Sequence, residues 1–131
     1  MAETPAPATV GMAMEDVDTP ALLIDLDAFE RNLKRMADAI EGSAAKLRPH
    51  SKTHKCAVVA LRQMAHGAVG VCCQKVGEAE AMVYGGVPDV LVSNQIVGAP
   101  KLTRLAALAR QAKIAVCADD AGNVADLDAA A

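Results

Sequence analysis

The residues best suited to chemistry lie between positions 48 and 55, where the sequence reads RPHSKTHK. This run follows a short apolar segment and precedes a helix-like one, which is where strands of α/β enzymes carry functional groups. If the strand continues through the run, period-2 alternation places four side chains on one face: Arg48, His50, Lys52 and His54. Such crowding is costly unless the groups hold an anion or move protons, whereas a solvated edge strand would tolerate it. The run is therefore an active-site wall or an exposed edge.

Lys52 is the best candidate for a nucleophile in this run. Neighbouring cations and partial burial favour the neutral form of a lysine amine, which attacks aldehydes, and pyridoxal phosphate is the natural aldehyde. Lys55 is the competing amine, but it falls on the opposite strand face and is expected to be a solvated charge. His50 and His54 alone make a weak metal site because no carboxylate or third ligand lies nearby in sequence. We predict no metal ligands in these 131 residues.

The elements that must position this run alternate between strand and helix. Ala21–Leu26 is predicted as a covered strand, followed by a helix that Asp27 caps, with Glu30 at the capping-box position. Further strands are predicted to start near Leu47, Ala68, Asp89 and Lys113. The helices between them are predicted at Cys56–Ala65, Val76–Gly85 and Lys101–Ala112.

Strands that alternate with single helices predict an α/β fold with a parallel sheet and right-handed crossovers. Four repeats make half of a (β/α)8 barrel, or else an open doubly wound sheet of order 2-1-3-4. Because the chain stops in an apparent helix at Asp126–Ala131, we expect an N-terminal fragment. Residues 1–15 are predicted to be a disordered lead-in, and residues 16–131 a partial barrel.

Polar residues follow each predicted strand of the repeat. After Lys52 these are Gln74, Asn94 and the pair Asp119-Asp120. Each alone is best explained as a loop start or a helix cap. Because parallel β/α folds place function at the carboxyl ends of their strands, the four positions together predict a polar pocket there.

Composition excludes several classes of protein. The formal charge of −3 gives no reason to expect nucleic-acid binding, and no apolar run approaches the roughly 20 residues of a membrane span. The spacing of the four cysteines matches no zinc site, and three of them lie in apolar runs, so buried thiols in a cytoplasmic protein are expected.

Several motifs in order give the chain a specific resemblance. They read TPALLIDLD from Thr19, LRPHSKTHK from Leu47, GVCCQKV from Gly70, DVLVSN from Asp89 and VCADD from Val116. From about Asp16 to the last residue, the chain resembles the D-threonine aldolase group of pyridoxal-phosphate enzymes, which have the alanine-racemase type of barrel. The 3-hydroxy-D-aspartate aldolases and the D-serine or hydroxyaspartate dehydratases share this signature.

The resemblance implies that Lys52 carries pyridoxal phosphate as a Schiff base, with Arg48, His50, Gln74 and Asn94 around the cofactor. The substrate would be a D-β-hydroxy-amino acid, cleaved to glycine and an aldehyde. It also implies a manganese-like ion and phosphate-binding loops, both supplied beyond Ala131, so the 131-residue chain is expected to be inactive. The full-length protein would be a monomer or a homodimer.

Three alternatives stay open at this point. A dehydratase of the same family shares this half of the chain. A non-catalytic pyridoxal-phosphate-binding homeostasis protein shares the lysine-bearing strand, although not the whole RPHxKTHK pattern. A free-standing doubly wound binding domain needs no cofactor at all.

Overall fold

The computed structural model describes residue 6 and residues 8–131. Three strands alternate with helices: β1 is Val71–Cys73, β2 is Asp89–Val92 and β3 is Lys113–Val116. The α-helices of this described part are α1 Leu26–Ile40, α2 Ala57–Ala65, α3 Val76–Tyr84, α4 Ala99–Ala109 and α5 Ala121–Ala130. Short 3-10 helices form at Met14–Asp16 and Ser51–Thr53. Much of the predicted lead-in, residues 1–5 and residue 7, lies outside the described residues, and that prediction stays untested.

The sheet is parallel and follows the chain order β1-β2-β3. Residues 47–50 extend it beyond β1: the Val69 amide donates to the Leu47 carbonyl oxygen at 3.0 Å and the Cys72 amide to the Pro49 carbonyl oxygen at 2.7 Å. His50 pairs with Cys72 in a parallel bridge. Each successive strand along the chain therefore pairs with the free edge of the strand before it, as in a (β/α)8 barrel. The barrel prediction is confirmed, and the doubly wound order 2-1-3-4 is wrong.

Helices cover one face of this sheet and leave the other face open. Side chains alternate between the faces, so Val71 and Cys73 of β1 and Val90 and Val92 of β2 are buried beneath the helices. The opposite, inner face carries Cys72, Leu91 and Ala115 side by side, and none of these three is fully buried. Three of the four cysteines were expected to be buried, but only Cys73 is, because Cys72 and Cys117 lie outside the helix-covered face.

The first predicted strand is wrong. Residues 21–25 belong to no strand in the described part of the chain, and Leu22 and Ile24 are largely exposed. The helix begins one residue earlier than predicted because Asp25, rather than Asp27, caps it: the Asp25 carboxylate accepts the Ala28 amide at 2.8 Å. The later helices are confirmed, with no end shifted by more than three residues. Among the described residues, no helix is both long and apolar enough to cross a membrane.

Candidate active site

The extended segment ends at His50, so the predicted alternation through Lys52 and His54 is wrong. A 3-10 turn at Ser51–Thr53 replaces the strand. The side chain of Ser51 is the physical reason: it is 1% exposed, and its hydroxyl donates to the Cys72 carbonyl oxygen at 2.9 Å. That bond draws the backbone toward the end of β1. Lys52 therefore lies on an exposed turn at the carboxyl edge of the sheet, and not on a strand face.

His50 lies next to this turn with both ring nitrogens in contact with a neighbour. Its Nδ1 accepts the backbone amide of Lys52 at 3.3 Å, and its Nε2 lies 3.3 Å from the Ser93 hydroxyl. Ser93 follows β2 on the inner face, two residues beyond Leu91, and its own amide donates to the Cys73 carbonyl oxygen at 2.8 Å. His50 thus joins the lysine-bearing turn to the end of β2.

Arg48 lies one step further back on the inner face and is already paired. Its Nη1 donates to the Asp89 carboxylate at 2.8 Å across β1, and Lys113 approaches the same carboxylate at 3.1 Å. The hydrogen bond from Arg48 is the main reason that the pKa of Asp89 lies below its ordinary value. The Arg48–Asp89 contact passes over Gly70, where a Cβ atom would overlap both the Arg48 guanidinium and the Asp89 carbonyl oxygen. The positive charge of Arg48 is therefore balanced by Asp89.

Lys55 and His54, the two other titratable members of the run, have surroundings of their own. The Lys55 ammonium lies 3.8 Å from the Glu78 carboxylate, so it is a partly paired charge rather than a free one. His54 lines an apolar groove, where its Nδ1 accepts the Cys56 amide at 3.1 Å and burial lowers its pKa. The four groups predicted to share one face are thus split among three locations.

The apolar groove lies between α1 and α2. It has a volume of about 740 Å³ and is bounded mainly by aliphatic and aromatic side chains, among them Leu22, Ile24, Phe29, Leu33 and Met36. Among the residues that the structure describes, the polar side chains that line it are Asn32, Thr53, His54, Gln63 and His66. The groove does not include Lys52.

Gln74 and Asn94 line a second cleft, of about 580 Å³, at the start of helices α3 and α4. The cleft is also lined by Lys55, Lys75 and Lys101, whereas Lys52 does not line it. The Asn94 carboxamide oxygen accepts the Gln95 amide at 3.1 Å, which is ordinary loop-start chemistry. Asp120 caps α5 through the Asn123 amide, and Asp119 accepts from Gln95. The predicted single polar pocket is thus divided: His50 contacts the Lys52 amide and Ser93, whereas Gln74 and Asn94 line a separate cleft.

Ser93 is the site residue that the sequence reasoning missed. The rule that selected Asn94, a polar residue directly after an apolar strand, applies equally to Ser93. Strand alternation would have favoured Ser93, because it shares the inner face with Leu91 whereas Asn94 does not. Within residues 8–131 and residue 6, no group of three histidine, cysteine or acidic side chains could hold a metal ion.

The two thiols of β1, Cys72 and Cys73, are not activated by this environment. Burial raises the pKa of the Cys72 thiol on the inner face and of the Cys73 thiol in the core. A raised pKa leaves less thiolate at neutral pH, so neither is a strong nucleophile. Lys52 is therefore the better candidate for covalent chemistry at this edge of the sheet.

Residues 24–131 match the alanine racemase N-terminal domain family, and the chain belongs to that family. It is 48% identical over 126 residues to a D-threonine aldolase of Arthrobacter sp., an alignment that covers 96% of this chain and 33% of the relative. It is 47% identical over 127 residues to a 3-hydroxy-D-aspartate aldolase of Paracoccus denitrificans, with coverage of 95% and 33%.

Among solved structures, the crystal structure of a D-threonine aldolase from Filomicrobium marinum superposes with a TM-score of 0.93 at 57% identity. The match covers 97% of this chain and 34% of that one. The chain thus spans about a third of the length of the relatives that it matches. The resemblance inferred from the motifs is confirmed.

Proposed function

We propose that the full-length protein is a pyridoxal-phosphate-dependent lyase that cleaves D-β-hydroxy-amino acids to glycine and an aldehyde. The observation that carries this proposal is the position of Lys52, an exposed amine on a turn fixed to two strand ends at the carboxyl edge of a barrel-type sheet. The similarity to two aldolases that act on D-amino acids supports the substrate class.

Lys52 and the residues around it fit the aldehyde group of pyridoxal phosphate. The turn presents one primary amine, while the nearby His50 and Ser93 are anchored by hydrogen bonds of their own. When bound, the cofactor supplies an aldehyde for amines and a ring that accepts the electron pair released at the substrate. On this proposal Lys52 holds the cofactor. His50, Arg48, Gln74 and Asn94 stay predicted cofactor contacts, although Arg48 is paired with Asp89 and the two amides line a different cleft.

The remaining parts of the proposal are predictions of the same kind. They are a manganese-like ion bound by residues outside this chain, a small D-amino-acid substrate, a cytoplasmic location and a monomeric or homodimeric state. The inner sheet face offers a place for the substrate, because Cys72 and Leu91 are not covered by helices.

Lys52→Ala in the full-length protein tests the proposal, with Lys55→Ala as the matched control. We expect Lys52→Ala to remove the absorbance of bound cofactor and to lower D-threonine cleavage by about three orders of magnitude or more. Lys55→Ala should retain both, because Lys55 faces Glu78 instead of the inner face. Retained cleavage in Lys52→Ala would overturn the assignment.

The products separate the proposal from its alternatives. Retro-aldol cleavage yields glycine and an aldehyde, dehydration yields ammonia and a keto acid, and a homeostasis protein binds the cofactor without turnover. Aldehyde trapped from the wild-type protein, with no ammonia released, is the expected result.

A further inference from the structure

His50 and Ser93 form one directed chain of hydrogen bonds that ends at the lysine-bearing turn. A backbone amide can only donate, so the His50 Nδ1 that accepts the Lys52 amide carries no hydrogen. A neutral imidazole without hydrogen at Nδ1 carries it at Nε2. Nε2 therefore donates to the Ser93 oxygen, 3.3 Å away.

The hydroxyl hydrogen of Ser93 then has an acceptor ready. The Ser93 oxygen lies 3.2 Å from the Cys73 carbonyl oxygen, which also accepts the Ser93 backbone amide at 2.8 Å. Every donor in this series of hydrogen bonds thus has one acceptor, from the Lys52 amide through the imidazole and the hydroxyl to the end of β1. A protonated His50 would place an N–H at Nδ1 against the N–H of Lys52 and break the first bond.

The loop that carries Ser93 is itself held in place. Asn123, which is 6% exposed, donates from its side-chain amide to the Ile96 carbonyl oxygen at 2.7 Å, and Gln95 donates to Asp119 at 2.9 Å. Both bonds run from the β2–α4 loop to the segment after β3. Ser93 therefore meets His50 from a fixed backbone.

We propose that Ser93 is a positioning residue: by accepting the Nε2 hydrogen it keeps the His50 ring oriented with Nδ1 on the Lys52 amide, and through that bond it fixes the turn that presents Lys52. This gives His50 a positioning role, where the sequence left its individual role unassigned. The statement about the tautomer stands on geometry alone, whereas its consequence for cofactor capture rests on the proposed function.

The tautomer is measurable in the 131-residue chain, which has only three histidines. In long-range 1H–15N spectra at a pH well above the ordinary histidine pKa of about 6.5, Nδ1 of His50 should resonate as an unprotonated ring nitrogen. Ser93→Ala should free the His50 ring to rotate away from the Lys52 amide, so that His50 becomes a mixture of tautomers, and Ser93→Thr, which keeps the hydroxyl, should restore the single one. His54 serves as the internal control, because its Nδ1 accepts the Cys56 amide and does not depend on Ser93.

A hydrogen at Nδ1 of wild-type His50, or a His50 signal that Ser93→Ala leaves unchanged, would overturn the proposal. An unchanged His54 signal in each variant shows that the fold has survived the substitution.

Cofactor capture in the full-length protein tests the consequence for Lys52. Ser93→Ala should weaken the capture of pyridoxal phosphate by about three- to tenfold, the effect of one hydrogen bond, and Ser93→Thr should recover it. Equal capture by wild type and Ser93→Ala would overturn the role assigned to Ser93. A wild-type protein that captures no cofactor would instead count against the proposed function, while the spectra still decide the tautomer.

Discussion

Helix α1 is longer and more regularly amphipathic than helix α3, yet none of its residues is buried, whereas α3 buries Val76, Ala79, Met82 and Val83. The difference lies in what each helix faces. Helix α3 packs against two strands and two neighbouring helices, and α1 faces an open apolar groove. An amphipathic pattern thus predicts that a helix forms, but it does not predict whether another element packs against the apolar face of that helix.

The means of stabilisation differ accordingly. Helix α1 depends on polar contacts: the Asp25 cap, the Lys34–Asp38 pair one turn apart, and the contact of Glu30 with Arg62 on α2 and with His66 just after it. Helix α3 depends on apolar burial, and the strands beneath it carry the Arg48–Asp89 ion pair on their other face. Burial contributes more free energy than exposed ion pairs do, so the two regions should respond very differently to the same kind of substitution.

The largest difference is expected from the same substitution in the two helices. Met82→Ala removes a fully buried side chain and should lower the free energy of unfolding by about 2–5 kcal/mol. Met36→Ala is the matched control on α1, where the side chain is 45% exposed, and should cost about 0.5 kcal/mol or less. Urea unfolding of both variants measures the comparison. Equal losses would mean that α1 is as tightly packed as α3.

A smaller effect is expected from the ion pair on the inner face. Asp89→Asn should cost about 1 kcal/mol at neutral pH, because Asp89 accepts a charged hydrogen bond and is only partly exposed. Since the pKa of Asp89 is lowered in the folded state, its contribution is complete above the unfolded value of about 3.9 and is lost as pH falls through the lower folded value.

Unfolding measured as a function of pH tests this sign. Wild type should lose stability on acidification more steeply than Asp89→Asn. An Asp89→Asn variant with the wild-type acid profile would contradict the role of the pair.

The same contrast explains what could be predicted from the sequence. The repeat from Ala68 onward was predicted well, because periodicity, Gly85 and Pro100 mark each element locally and the packed sheet agrees with them. The parallel sheet followed from strand and helix alternation, which left the barrel and the doubly wound order open, and the resemblance to the aldolase group implied the barrel. The region before it was predicted less well: Ala21–Leu26 lacks the strand partner that its aliphatic pattern anticipates.

The candidate site was predicted in part for a related reason. Lys52 was identified from residue type and position, and that assignment stays a prediction. The turn at Ser51 could not be foreseen, because it depends on a bond to the carbonyl of Cys72, which is 21 residues away in sequence. The pairing of Arg48 with Asp89 spans 41 residues. Such contacts depend on the sheet register, which local patterns do not specify.

The smallest expected effect concerns how α1 is attached. Glu30→Gln removes the charge that contacts Arg62 and His66, and because these groups are exposed, the midpoint of urea unfolding should not change. The amide hydrogens of α1 should nevertheless exchange faster, since the helix loses a link to α2 and has little burial to replace it. Added salt should likewise speed the exchange of α1 amide hydrogens in wild type by screening the pair.

Glu80→Gln is the control, because Glu80 pairs with Arg104 in a similar exposed geometry, yet α3 is held in place by its buried side chains. The contrary outcome is that Glu80→Gln speeds amide exchange in α3 as much as Glu30→Gln speeds it in α1. That result would show that burial does not distinguish the two helices.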